Sequence, residues 1–149
     1  MAALLFGLIG AVVVPAAEAQ TLTLTISPST ISFANADPDT TPSIVAPTVT
    51  VSYRVRSNPT GNWQLTLLAS GDLVAGTAVI DITNVTWTAS PVPPFQAGTL
   101  SHTLAQRLAS GSGNVQATTT GTVVFSLANS WTYNVGSYSA SVVYTLTAP

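Results

Sequence analysis

A chain of 149 residues is on the scale of one domain. Hydrophobic residues make up 46% of it and charged residues only 5%, with a formal net charge of −2 and Arg54, Arg56 and Arg107 as its three cations. That balance excludes charge-rich disorder, and it excludes a nucleic-acid footprint, which needs a cluster of cations to neutralise successive phosphates. Without cysteine there is no disulfide framework, thiolate nucleophile or Cys-based metal site.

Residues 2–14 are almost continuously apolar, Pro15 breaks the run, and Ala17-Glu18-Ala19 places small residues where a signal peptidase reads them. The run is shorter than the roughly 20 residues that a helix needs to cross a hydrocarbon core of about 30 Å. The expectation is a cleaved signal peptide over residues 1–19, although no Lys or Arg precedes the apolar run. A single domain over residues 20–149 follows, exported to the extracellular space or cell surface, with no membrane span in the mature chain.

Thr21-Leu22-Thr23-Leu24-Thr25-Ile26-Ser27 alternates perfectly, which puts Leu22, Leu24 and Ile26 on one face of a strand and the hydroxyls on the other. Pro28 ends it, a short 31–33 segment follows, and Asn35-Ala36-Asp37-Pro38-Asp39 is a turn-forming cluster. Residues 48–56 form the next strand, with Val49, Val51, Tyr53 and Val55 inward and Arg54 and Arg56 outward. A turn over 58–62 joins it to a strand over 63–67 as a hairpin. Short strands over 78–83 and 85–88 precede a proline-rich loop over 90–95, whose prolines cannot donate to a ladder. Residues 100–108 fit helical and strand spacing alike and are assigned to a strand. Ser110-Gly111-Ser112-Gly113-Asn114 reads as a flexible turn, followed by strands over 122–127 and 137–146.

Seven to nine short strands separated by turn signals, with no long amphipathic helix, predict an all-β fold: a single immunoglobulin-like antiparallel β-sandwich. Gly136-Ser137-Tyr138 has the form of a tyrosine corner, in which the hydroxyl bonds back to nearby backbone.

Chemistry is sparse. His102 is the single histidine, and Asp37, Asp39, Asp72 and Asp81 are the acids beyond residue 19. A nucleophile triad needs an oriented base, and a glycosidase needs two carboxyls flanking one bond; neither pattern is present. Asp37-Pro38-Asp39 reads as a capped turn in preference to a calcium loop, since calcium takes six to eight oxygens. Asn84-Val85-Thr86 is a formal glycosylation sequon. The expectation is a protein with no catalytic residues, no metal and no cofactor. Trp63 and Trp87 share the apolar alternation and belong in the core. Trp131 and Tyr133, among Asn and Ser in a loop, are the candidate ligand contacts, and stacking on a glycan is the small-partner chemistry they suggest.

The run Val135-Gly136-Ser137-Tyr138-Ser139-Ala140-Ser141-Val142-Val143-Tyr144-Thr145-Leu146-Thr147 resembles the closing strand of exported bacterial sandwiches of the pilin and spore-coat-U type. The likeness covers this strand, the export signal and the Thr-rich alternation. It implies an incomplete sandwich finished by an N-terminal strand from a neighbouring subunit. Residues 20–27, through Leu22, Leu24 and Ile26, would be the donor, and Tyr138, Val142, Tyr144 and Leu146 would border the accepting groove. The implied role is a non-catalytic subunit of a pilus-like filament or surface layer, a homopolymer, the alternative being a carbohydrate-binding or adhesive module. The chain departs from such pilins in lacking their cysteine pair and in carrying Ala148 where an aromatic is usual. Those departures argue against dependence on a dedicated chaperone.

Overall fold

The computed structural model describes residues 20–57 and 59–149. The signal-peptide assignment, residues 1–19, lies outside the described residues. Among the described residues eleven strands run in chain order: β1 Thr21–Ser27, β2 Ser43–Val45, β3 Val49–Arg56, β4 Asn62–Ala69, β5 Leu73–Ala75, β6 Ala78–Ile80, β7 Val85–Ser90, β8 Gly98–Thr99, β9 Gln106–Ser112, β10 Val115–Ala128 and β11 Val142–Thr147. A single 3-10 turn, Ile82–Asn84, precedes β7, with Asp81 accepting from the Thr83 amide at its start.

The strands form an antiparallel β-sandwich. One sheet has the order β1-β3-β10-β7-β8, with β2 also paired to β10; the other has the order β11-β4-β9; β5 and β6 make a separate hairpin. Period-two alternation sets the inward faces. Val49, Val51, Tyr53 and Val55 of β3 pack with Val85 and Trp87 of β7 and Val123, Phe125 and Leu127 of β10. Facing them are Trp63, Leu65, Leu67 and Ala69 of β4 and Leu108 and Ala109 of β9. Leu108 and Ala109 are adjacent yet both buried, because the β4–β9 register shifts between Leu65 and Thr66.

Glycines admit the aromatic rings. Gly98 lies opposite Trp87 and Gly111 opposite Trp63 in the ladders. A Cβ at Gly98 would come within 2.5 Å of the Trp87 ring, one at Gly111 within 2.6 Å of the Trp63 ring, and one at Gly121 within 2.3 Å of the Phe95 ring. Tyr53 joins two of these rings, with centroids 4.8 Å from Trp63 and 5.8 Å from Phe95.

Five expectations are corrected. The strand over 78–83 stops at Ile80, because Asp81 caps the 3-10 turn Ile82–Asn84. The 100–108 strand is split: Leu100 is buried beyond β8, residues 101–105 turn, and only 106–108 enter β9. Ser101 Oγ drives the turn by accepting from the amides of Thr103 and Leu104, leaving Leu104 exposed. The flexible turn over 110–114 shrinks to Gly113-Asn114, where Gly113 takes φ +71°, because Ser110–Ser112 continue β9 against β4. β10 starts well before residue 122, since pairing to β3 at Thr119 and Thr120 organises a stretch with no apolar alternation to announce it. The last strand starts at Val142, so Tyr138 lies outside it. Residues 137–141 instead run past the β5–β6 hairpin through the Val74–Ser139 bridge.

The proline-rich loop fills the core as well as linking strands. Phe95 projects from it and is buried under the β3 and β10 side chains. Adding one methyl at its notch overpacks the core, so Gly121→Ala is expected to cost about 1–3 kcal/mol of unfolding free energy. Gly71→Ala, with nothing within 4 Å of the added carbon, should change it by less than about 0.5 kcal/mol. Urea denaturation of the two variants checks both.

Candidate functional site at the open edge of the sandwich

The two lateral edges of the sandwich are treated differently. An edge strand exposes a row of unpaired N–H and C=O groups that another chain can pair with, and natural sheets usually cover or charge it. On the β9 side the proline loop does the covering. The Gln96 amide donates to Leu108 O at 2.8 Å, the Ser110 amide to Pro94 O at 3.4 Å, and Gln96 Nε2 to Arg107 O at 3.0 Å. Phe95 bridges to Ala109, and Trp87 Nε1 donates to Gln96 O at 2.9 Å. The loop's backbone thus occupies the outer edge of β9.

On the opposite side lie β1 and β11, each paired along one edge only among the described residues, β1 to β3 and β11 to β4. Neither strand contains a charged residue or a proline. The two touch across the sandwich, and their inward side chains are only half covered. Leu24 and Ile26 of β1 and Val142, Tyr144 and Leu146 of β11 are partly buried against the core, as is Tyr138 just before β11, while Leu22 is 37% exposed. Burial pushes the Tyr144 hydroxyl up to about 12. One side-chain clasp joins the strand ends: Gln20 Nε2 donates to Ala148 O at 3.3 Å and to Pro149 O at 2.7 Å.

The donor-strand candidate therefore lies in its own sheet. Thr21 pairs with Arg56 and the register runs unbroken to Ser27 with Thr50. Strand donation on this architecture means exchange of β1, in which a neighbour's strand takes its place.

The connection from β1 to β2 has two unequal parts. Residues 35–42 are tied down: Asp37 O accepts from the amides of Thr40 and Thr41, and Asp37 Oδ1 accepts from the Asp39 amide. Asn129 Nδ2 donates to Ala36 O and Thr41 O, both at 3.0 Å, and its amide donates to Pro42 O. The Asp37-Pro38-Asp39 turn is thus capped from within and braced from β10. Residues 28–34 have no such ties and make their contacts through Ile31 and Phe33, partly buried against the core.

The remaining candidates are dispersed. Trp131 is 68% exposed with Nε1 donating to Asp39 Oδ1 at 3.0 Å, whereas Tyr133 is partly buried against the core. The two do not form a shared platform. Tyr138 OH donates to Asn134 O at 2.8 Å, the back-bond expected of a tyrosine corner. His102 Nδ1 lies 3.2 Å from Asp72 Oδ1, and that oxygen also accepts from the Ile82 amide. Asp81 is held below the usual carboxylate range chiefly by the Thr83 hydroxyl and amide. The sequon side chain Asn84 donates through Nδ2 to Asp81 O. Among the described residues no cluster of His, Cys, Asp or Glu could hold a metal ion, and no helix is long and apolar enough to cross a membrane.

Sequence reasoning missed the side-chain contacts that Gln20, Asn129 and Phe95 make. Asn129, directly after the last alternating residue of β10, was the one with a local signal, since Asn at a strand end commonly bonds neighbouring backbone. No protein-family model matches the chain, and no curated protein does.

The half-buried phenol has a consequence at high pH. Burial raises both the Tyr144 and the Tyr53 hydroxyls in the folded state. Their contribution to stability is therefore complete below the unfolded value near 10 and is lost as pH rises through the folded values, toward about 12 for Tyr144. Urea unfolding at graded alkaline pH should show that decline, and Tyr144→Phe should make it shallower.

Proposed function

We propose that this chain is a non-catalytic structural subunit that works outside the cytoplasm and self-associates by exchanging residues 20–27 between copies. The observation that carries the reading is the asymmetry of the sandwich: one edge is covered by the proline loop, and the other is left open, uncharged and half apolar between β1 and β11. The sheet orders, β1-β3-β10-β7-β8 and β11-β4-β9, support the immunoglobulin-like assignment and with it the likeness to exported pilin-type subunits.

In the exchanged form, residues 20–27 leave β3 of their own chain and add to β3 of the next in the same register. Recognition is then by the same backbone ladder, with Leu24 and Ile26 entering the same pockets. Residues 28–34 are the hinge. Seven residues span at most about 25 Å when extended, so the accepting copy must be an immediate neighbour. Repetition of such a head-to-tail contact gives a filament or sheet when the rotation does not close. A non-catalytic role fits a single histidine whose partner Asp72 uses the same oxygen to accept from the Ile82 amide, with the nearby Asp81 already bonded by the Thr83 amide and hydroxyl.

The chain's lack of cysteine makes a direct test possible. Thr25 pairs with Ser52 across the β1–β3 ladder, at the separation that a cross-strand disulfide accepts. In Thr25→Cys/Ser52→Cys oxidised at high protein concentration, exchange predicts a ladder of covalent oligomers on reducing-sensitive gels and elongated particles by negative-stain microscopy. A product that is monomeric at every concentration, with its disulfide wholly intramolecular, would refute the proposal.

A further inference from the structure

Trp131 combines high exposure with fixed orientation, two properties that a loop tryptophan rarely has together. The only hydrogen-bonding group of its side chain, Nε1, donates to Asp39 Oδ1 at 3.0 Å. Asp39 in turn sits in the Asp37-capped turn that Asn129 holds at two carbonyls. On the tryptophan's own side, Ser130 Oγ accepts from the Thr132 amide and lies 2.9 Å from Thr132 Oγ1. Two short braced turns therefore present an indole to solvent at 68% exposure without packing it. Holding an aromatic ring ready in this way reduces the ordering cost of binding.

The surroundings select the ligand. A protein-docking or membrane-docking surface needs contiguous apolar area or a group of cations. The sequence neighbours of Trp131 are Asn129, Ser130, Thr132 and Asn134, and no cation lies on either turn. An isolated ring in a polar, hydroxyl-bearing rim matches a ligand that is itself apolar on one face and hydroxylated at its edge. Asp37 and Asp39 supply acceptors and no positive charge, which disfavours an anionic ligand. We propose that Trp131 and Asp39 form a binding site for a neutral pyranose unit, the sugar ring stacking on the indole and a ring hydroxyl donating to the Asp39 carboxylate. Tyr133, partly buried against the core, is not part of it. The site is independent of the exchange of residues 20–27.

Isothermal titration of the full chain with neutral cello-, chito- and manno-oligosaccharides tests the proposal. Binding of at least one series is expected, weakened about tenfold or more by Trp131→Ala. Trp131→Phe, which keeps a ring, should retain more affinity than Trp131→Ala. Asp39→Asn, which keeps an oxygen for the indole N–H, should weaken binding less than Asp39→Ala. Far-ultraviolet circular dichroism confirms that each variant is folded. Failure of all three neutral series at millimolar concentration, or binding that survives Trp131→Ala, overturns it. So does a preference for acidic over neutral oligosaccharides.

Discussion

Everything in this molecule follows from the obligation of a strand's backbone groups to find partners. With so few charged side chains, the chain has little besides hydrogen bonds and apolar contact with which to manage the edges of its sheets. On one side it spends a whole loop on the problem. Pro91, Pro93 and Pro94 cannot donate, but Pro94 O accepts from the Ser110 amide of β9, and Gln96 supplies both a backbone and a side-chain amide to that strand. Phe95, inserted at the same point, links that covering to the core. Among the described residues the opposite side has no equivalent loop, only two strands whose uncharged side chains neither repel nor block another strand.

Core packing and edge covering are coupled through the aromatic notches. Tyr53 contacts Trp63 of one sheet and Phe95 of the loop. Those rings fit because Gly111 and Gly121 have no side chain where they pass. The interior is therefore densest toward β9 and the proline loop, while the β1 and β11 side chains remain partly accessible. A sandwich built this way is rigid on its closed side and least anchored at β1, the element that makes one ladder and connects through the least restrained segment.

How much of this the sequence discloses depends on which physical signal carried each element. β1, β3 and β4 bury one face, and their alternation locates them within a residue or two. The start of β10 is invisible to that method because residues 116–120 carry no apolar period; its partner β3 defines it. The 101–105 turn is hidden by leucines whose spacing suits a strand, although the decisive atom is the Ser101 hydroxyl bonding to two amides. Tyr138 keeps its corner hydrogen bond while leaving the strand, since the bond is local and the strand depends on a partner. The candidate site follows the same division. Leu22, Leu24 and Ile26 are readable as a face, but whether that face meets its own β3 or a neighbour's is a property of two elements, and no local pattern encodes it. The separation of Trp131 from Tyr133 is equally non-local, because Asp39 holds one and the core holds the other.

The cis arrangement of β1 and the exchange proposed for it would be two states of one ladder, and that equivalence decides what would control the choice between them. Register, hydrogen bonds and side-chain pockets are common to both, so their energies largely cancel. Three things differ. The Gln20 clasp to Ala148 and Pro149 joins the start of β1 to the residues after β11 in the closed form, and an exposed neutral hydrogen bond contributes about 1 kcal/mol. Ile31 and Phe33 lose part of their contact with the core if the hinge straightens; since complete burial of such side chains is worth about 1.5–3 kcal/mol each, partial loss is a smaller cost. The tether itself gives a strand in cis an effective concentration on the millimolar scale when the linker is short and flexible. Each term favours the closed chain in dilute solution, so exchange requires high local protein concentration or an accepting edge already vacated by a neighbour. Under the proposed function, a crowded cell surface would supply the first and the end of a growing polymer the second. A subunit that folds closed on its own and opens only against another copy could therefore assemble outside the cell without a separate factor to hold its edge.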